Sequence, residues 1–168
     1  MRSAAALAQV GRDVMTGEGP TVCGRVHFSR TIDAKDAALC ARLLLAAGRT
    51  GQPVSRAEAD ALFDIHSVAR ERRDDGRFAD LLVKAVVHHV MAQSGIDIPS
   101  REFALAAATP LDAWASAVEI DPESGSWLQA RLAQMRPGDS AAGAIAKVLF
   151  GTEPASQITV AALFDRAA

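Results

Sequence analysis

Gly48-Arg-Thr-Gly-Gln-Pro-Val-Ser-Arg-Ala-Glu58 reads as a loop that runs into a helix start. Ser55 and Glu58 have the spacing of a capping box, in which the Ser oxygen accepts the N3 amide and the Glu carboxylate reaches back to the Ser amide. Ala61, Leu62, Ile65 and Ala69 then recur at helical intervals and give this helix an inner face. Upstream, Asp33-Ala-Lys-Asp36 is a second cap with an acid three residues on, followed by Ala38, Leu39, Leu43, Leu44 and Ala47 at helical spacing. Gly48 stops that helix. The stretch therefore joins two helices, and the rest of the chain extends the pattern.

Shifting the sequence by 44 residues places Gly51, Val54 and Glu58 on Gly95, Ile98 and Glu102, and the preceding helices also coincide. A glycine, an aliphatic residue and an acid between two helices is the plan of paired EF-hands, where the aliphatic residues of two loops meet in a short backbone pairing. Glycine at 51 and 95 permits a positive-φ turn, Val54 and Ile98 are expected to pair, and Glu58 and Glu102 favour helix N-termini. With Glu58 at the last loop position, however, the first, third and fifth are Ala47, Arg49 and Gly51. The second loop offers Met91, Gln93 and Gly95, with Asp97 nearby. Calcium needs six to eight oxygens, mostly carboxylate, at such places. The loops are thus expected to brace a core without metal.

The segment 78–93 carries Leu81, Leu82, Val83, Val86, Val87, Val90 and Met91 around most of its circumference, with Asp80, Lys84 and His88 as a polar stripe. A helix so nearly apolar all round belongs at the centre of a domain. Before it, Arg70-Glu-Arg-Arg-Asp-Asp-Gly-Arg77 breaks the period and reads as a solvated connection. After it, Ser100-Arg-Glu-Phe103 starts another helix, and Thr109-Pro110 opens one carrying Leu111, Trp114 and Val118. Ile120-Asp-Pro-Glu-Ser-Gly125 reads as a turn; Trp127, Leu128, Leu132 and Met135 mark a short helix ended by Pro137-Gly138. Asp139-Ser140 caps the next, with Ile145, Val148, Leu149 and Phe150 inside. Residues 159–168 are expected to form a last helix, residues 3–15 a weakly amphipathic one, residues 16–20 a Gly-rich linker, and residues 22–28 an extended segment. The predicted architecture is all-α: one compact multi-helix domain over residues 1–168, with an N-terminal helix and linker (1–32), a core of paired helix-loop-helix units (33–114) and C-terminal helices packed on it (115–168).

Composition narrows the function. A chain of 168 residues with 49% hydrophobic and 23% charged residues has enough apolar material for a core without metal or disulfide. Aromatics make up 5% with no Tyr, which disfavours base-stacking or carbohydrate platforms. A formal net charge of −2 gives no long-range attraction to phosphate backbones, so nucleic acid is not an expected partner. No segment has the length of a membrane span. The apolar run Ala4-Ala-Ala-Leu-Ala-Gln-Val10 is too short for a secretory leader, so a reducing cytoplasm with Cys23 and Cys40 as free thiols is expected.

Candidate chemistry is sparse. His66, His89 and Cys40 are ligand types that zinc accepts, but their scattered spacing lacks the paired signature of known sites, and a hydrogen-bonded core histidine is the favoured reading. His88 and His89 cannot both ligate one ion, since adjacent helical side chains diverge by about 100°. Arg77, Asp80, Lys84 and His88 define a candidate cleft, against the simpler reading of Asp80 and Lys84 as an exposed i, i+4 ion pair. There is no Gly-x-Ser-x-Gly elbow, phosphate-cradling loop or dinucleotide fingerprint, so neither enzymatic activity nor a cofactor is expected.

The run Val54-Ser-Arg-Ala-Glu-Ala-Asp-Ala-Leu-Phe-Asp-Ile65, with Phe78-Ala-Asp-Leu-Leu-Val-Lys-Ala85, His89, Ser94-Gly95 and Pro99-Ser-Arg-Glu102, resembles a group of bacterial helical proteins without assigned activity. More loosely, it is similar to the TerB-like tellurite-resistance domains. That resemblance implies a helical fold and a metal- or small-molecule-binding role in stress response, although TerB-like turns carry acids where this chain has Arg49-Thr-Gly-Gln52. From the residues themselves, the first expectation is a calcium-independent protein-interaction module with a hydrophobic groove that takes a partner helix or a second copy of the chain. Trp114, Trp127, Met135 and Phe150 would form an exposed patch or the segment that already fills the groove.

Overall fold

The computed structural model describes residues 31–47, 51–69, 71–73, 75–95, 97–106 and 120–150. The readings made on residues 3–28, on the helix with Trp114 and on residues 159–168 lie outside these. Strand β1 (Thr31–Asp33) leads into α1 (Ala34–Ala47), then α2 (Arg56–Val68), β2 (Glu71–Arg73), α3 (Arg77–Gln93), α4 (Arg101–Ala106), α5 (Pro122–Ala133) and α6 (Ser140–Phe150). The described residues form an all-α bundle with a minimal two-stranded ribbon.

Local signals set most helix ends. At α1 the Asp33 carboxylate accepts the amides of Lys35 at 2.7 Å and Asp36 at 3.0 Å, while Asp36 accepts the Asp33 amide at 3.0 Å. At α2 both halves of the Ser55–Glu58 capping box are closed, the Glu58 carboxylate taking the Ser55 amide at 2.8 Å and the Ser55 oxygen taking the Glu58 amide at 3.3 Å. Gly51 and Gly95 have φ of +87° and +72°, left-handed values at matching places in the two loops.

Three expectations need correction. Residues 71–73 are not simply a solvated connection: their backbone pairs in parallel with β1, Ile32 opposite Arg72. Non-local pairing has won over a charged sequence with no strand alternation. Residues 121–125 are not a free turn but the start of α5, with Pro122 in the first turn and the Asp121 carboxylate accepting the Ser124 amide at 2.9 Å. Finally, the 44-residue match does not carry the capping box over: Ser100 caps α4 through the Phe103 amide, although Glu102 does lie in the first turn. Glu102 therefore falls one place short of the box position and stays exposed, whereas Glu58 is buried.

Helix α3 is the centre, packed against α6, α2, α1 and α4. Every residue from Leu81 to Met91 is buried, including Lys84, His88 and His89 of its expected polar stripe and its neighbour. Phe78, Leu82, Val86 and Val90 meet Leu44, Leu62, Ile65, Leu128 and Ile145 in one continuous core. Fully burying side chains of this size contributes roughly 1.5–3 kcal/mol each, which makes α3 the main source of cohesion.

Candidate functional site

Among the described residues, the two loops are held by side chains rather than by each other. Adjacent residues on α3 diverge by about 100°, which lets His88 and His89 grip opposite groups of one residue. The Val54 amide donates to His88 Nδ1 at 3.3 Å, and His89 Nδ1 donates to the Val54 carbonyl at 2.9 Å. His88 Nε2 donates to the Pro99 carbonyl at 3.1 Å, so one ring spans both loops. This replaces the expected pairing of Val54 with Ile98, and the EF-hand likeness does not extend to the loop contact. Accepting at Nδ1 and donating at Nε2 makes His88 a neutral ring. Burial lowers the pKa of His88 and of His89, outweighing the opposite pull of the Pro99 and Val54 carbonyls.

Arg101 makes the third link. Its guanidinium donates to Glu58 at 3.0 and 2.7 Å, to the Leu44 carbonyl at 2.8 Å and to the Pro53 carbonyl at 2.6 Å. Arg101 is 3% and Glu58 4% exposed. One side chain from α4 therefore fastens the end of α1, the first loop and the start of α2. Burial raises the Glu58 pKa, but Arg101, the Ser55 amide and the Ser55 hydroxyl together outweigh it and hold the carboxyl below the ordinary range. Sequence reasoning missed Arg101 and saw only part of a helix start. The one available signal was asymmetry, since the 44-residue shift puts Arg101 on Ala57.

Beside this junction lies a cavity of about 220 Å³ where α2, α3 and the start of α5 meet. Ser55 and Arg56 line it from α2, His89 and Gln93 from α3, and Asp121, Glu123, Ser124 and Trp127 from α5. Arg56 pairs with Glu123 at 3.1 Å across the mouth, with side chains 48% and 83% exposed, and lies 5.6 Å from the Trp127 ring centroid. Trp127 is only 6% exposed. Its indole N–H donates to Asp60 at 2.8 Å, and Arg131 holds Asp60 at 2.7 Å and Asp64 at 2.8 Å, so the wall is fixed from behind. Burial would lower the Arg131 pKa, but Asp60 and Asp64 raise it, so the guanidinium stays charged. The His89 ring meets the indole edge-on at 5.2 Å. With Nδ1 committed to Val54, its Nε2 has no hydrogen-bond partner among the described residues, and His89 borders the cavity. Arg56, Asp121 and Glu123 were not singled out from sequence, because two segments far apart in the chain supply them.

The residues that were singled out are dispersed. His66 Nε2 lies 2.9 Å from Asp139 and its ring stacks on Phe78; Cys40 is buried in the core, its thiol pushed up to about 12 by burial first and by Asp36 second. Among the described residues no three His, Cys, Asp or Glu side chains are placed to hold a metal, so His66, His89 and Cys40 do not assemble into a site. Of the candidate cleft, Lys84 pairs with Asp80 at 2.6 Å and Arg77 is exposed, while His88 is occupied by the loops. The Asp80–Lys84 pair is exposed only at its Asp80 end. Trp127 is a core residue beneath Arg56, Met135 and Phe150 are half-buried against the core, and Trp114 lies outside the described residues. Among the described residues, Trp127, Leu128 and Leu132 of α5 and Ile145 and Leu149 of α6 belong to the same buried core as the apolar residues of α3. No helix among the described residues is long and apolar enough to cross a membrane. No family model, curated protein or solved structure matches the chain.

Proposed function

We propose that this chain is a non-enzymatic protein-interaction module that receives a single polar side chain of its partner in the cavity between α2, α3 and α5. The observation that carries this reading is the cavity itself, lined by Trp127 and by His89, whose Nε2 has no hydrogen-bond partner among the described residues. At about 220 Å³ it is smaller than the ~300–1,000 Å³ typical of pockets for drug-sized ligands, and it suits one inserted side chain. A rigid aromatic at the bottom with an ion pair at the rim is the anatomy of an interface hot spot. A helix-in-groove mode fits less well, because α6 packs on α3 and apolar residues of α5 are already buried in the same core. Binding is favoured over catalysis because the Ser55 hydroxyl in the cavity wall is committed to Glu58 at 2.8 Å.

The test is a random-peptide display selection on the immobilised full chain. Gln93 is exposed at the end of α3, so Gln93→Trp plugs the cavity without touching the core. Enriched peptides should bind the plugged variant roughly tenfold or more weakly, about 1.4 kcal/mol. Equal binding to both forms, or no enrichment, sinks the reading.

A further inference from the structure

The chemistry of the wall says what kind of side chain fits. Because His89 Nδ1 donates to the Val54 carbonyl at 2.9 Å, the neutral ring carries its lone pair on Nε2, and that nitrogen is an acceptor. His89 is 4% exposed and is one of the residues lining the cavity, so a guest there is within reach of its ring. Asp121 and Glu123 add two carboxylates, against the single guanidinium of Arg56. The Trp127 face adds the negative side of an aromatic quadrupole, already used by Arg56 at 5.6 Å. Two helix N-termini point here, each worth roughly half a positive charge. Both are offset, α2 by the Ser55–Glu58 box and α5 by the Asp121 carboxylate on the Ser124 amide. An anionic or acceptor-only guest would face the Nε2 lone pair and two carboxylates.

We propose that the cavity takes a primary alkylammonium group, a lysine side chain of the partner, with the ammonium between His89 Nε2 and the Glu123 carboxylate and the methylenes along Trp127. An ammonium has three donors and no acceptor, which matches this wall, and its charge lets it share Glu123 with Arg56. The inference rests on the interaction reading above and names the chemistry of the guest.

The probes are n-butylammonium chloride, sodium butyrate and n-butanol, each titrated at constant ionic strength into the isotope-labelled full chain while the Trp127 indole and His89 ring signals are followed by NMR. Saturable shifts with butylammonium alone are expected, weakened roughly two- to fivefold in Glu123→Gln, whose side chain is exposed enough to leave the fold intact. An Nα-acetyl-lysine methylamide titration then separates a peptide lysine from a free amine: tighter binding than butylammonium supports the former, weaker binding overturns it. Shifts with butyrate or butanol equal to or larger than those with butylammonium overturn the ammonium assignment while leaving the interaction module standing. Silence with all three probes overturns the ammonium assignment too, and the peptide selection then decides the interaction reading independently.

Discussion

Arg101 shows how much one residue can hold. Its guanidinium satisfies a buried carboxylate and two backbone carbonyls from three different segments. Arg101→Ala leaves Glu58 charged and unpaired in the interior, and should cost about 3–5 kcal/mol in urea unfolding. Glu58→Gln keeps a neutral acceptor for Arg101 and should cost less, about 1–3 kcal/mol. The histidines add a pH dependence. Their folded pKa values lie below the ordinary 6.5, so as pH falls below 6.5 the unfolded chain binds protons that the folded one refuses. Stability is then lost progressively toward the lower pH at which the folded rings protonate. Glu58, lowered from 4.5, adds a second loss as pH falls below 4.5. Urea midpoints measured across this range should fall in two stages, the upper one traceable to Val54 losing its imidazole partners. His89 was legible as a core histidine from its helix, whereas His88 was read into a polar stripe; the partners of neither were legible, because hydrogen bonds to a backbone 34 and 35 residues away leave no mark on sequence spacing.

At the scale of elements, what is local was readable. The Ser55 and Asp33 caps and the all-round apolar face of α3 depend on residues within a few positions of one another. Ser55→Ala should therefore cost about 1 kcal/mol in thermal or urea unfolding, as N-cap losses do. Gly95→Ala should cost about 1–2 kcal/mol even though open space surrounds the position, because its φ of +72° strains any side-chain-bearing residue. What depends on distant partners was misread. The pairing of β1 with β2 joins residues 40 apart in the chain, and three charged residues gave no alternation to suggest it. The start of α5 was hidden by Asp121-Pro122, whose residue types serve a turn and a helix cap equally. A slip of one residue between caps turned an apparent duplication into two different loops, one with a buried acid and one with a buried arginine.

For the molecule as a whole, α3 is both the centre of packing and the anchor of the loops. Leu82, fully buried at its middle, should cost about 2–5 kcal/mol when replaced by Ala, with loss of cooperativity across all the helices that touch α3. Calcium or a chelator should leave helicity and melting temperature unchanged, since Ala47 and Gly51 offer no side-chain oxygen at two of the three early loop positions. Cys40 gives the same molecule a built-in clock. With its thiol pushed up to about 12, only on the order of 10⁻⁴ of it is thiolate at pH 8, and the side chain is sealed between α1 and the core. Alkylation at that sulfur has to wait for α1 to swing away, so the rate of label uptake measures how often the bundle breathes at that seam.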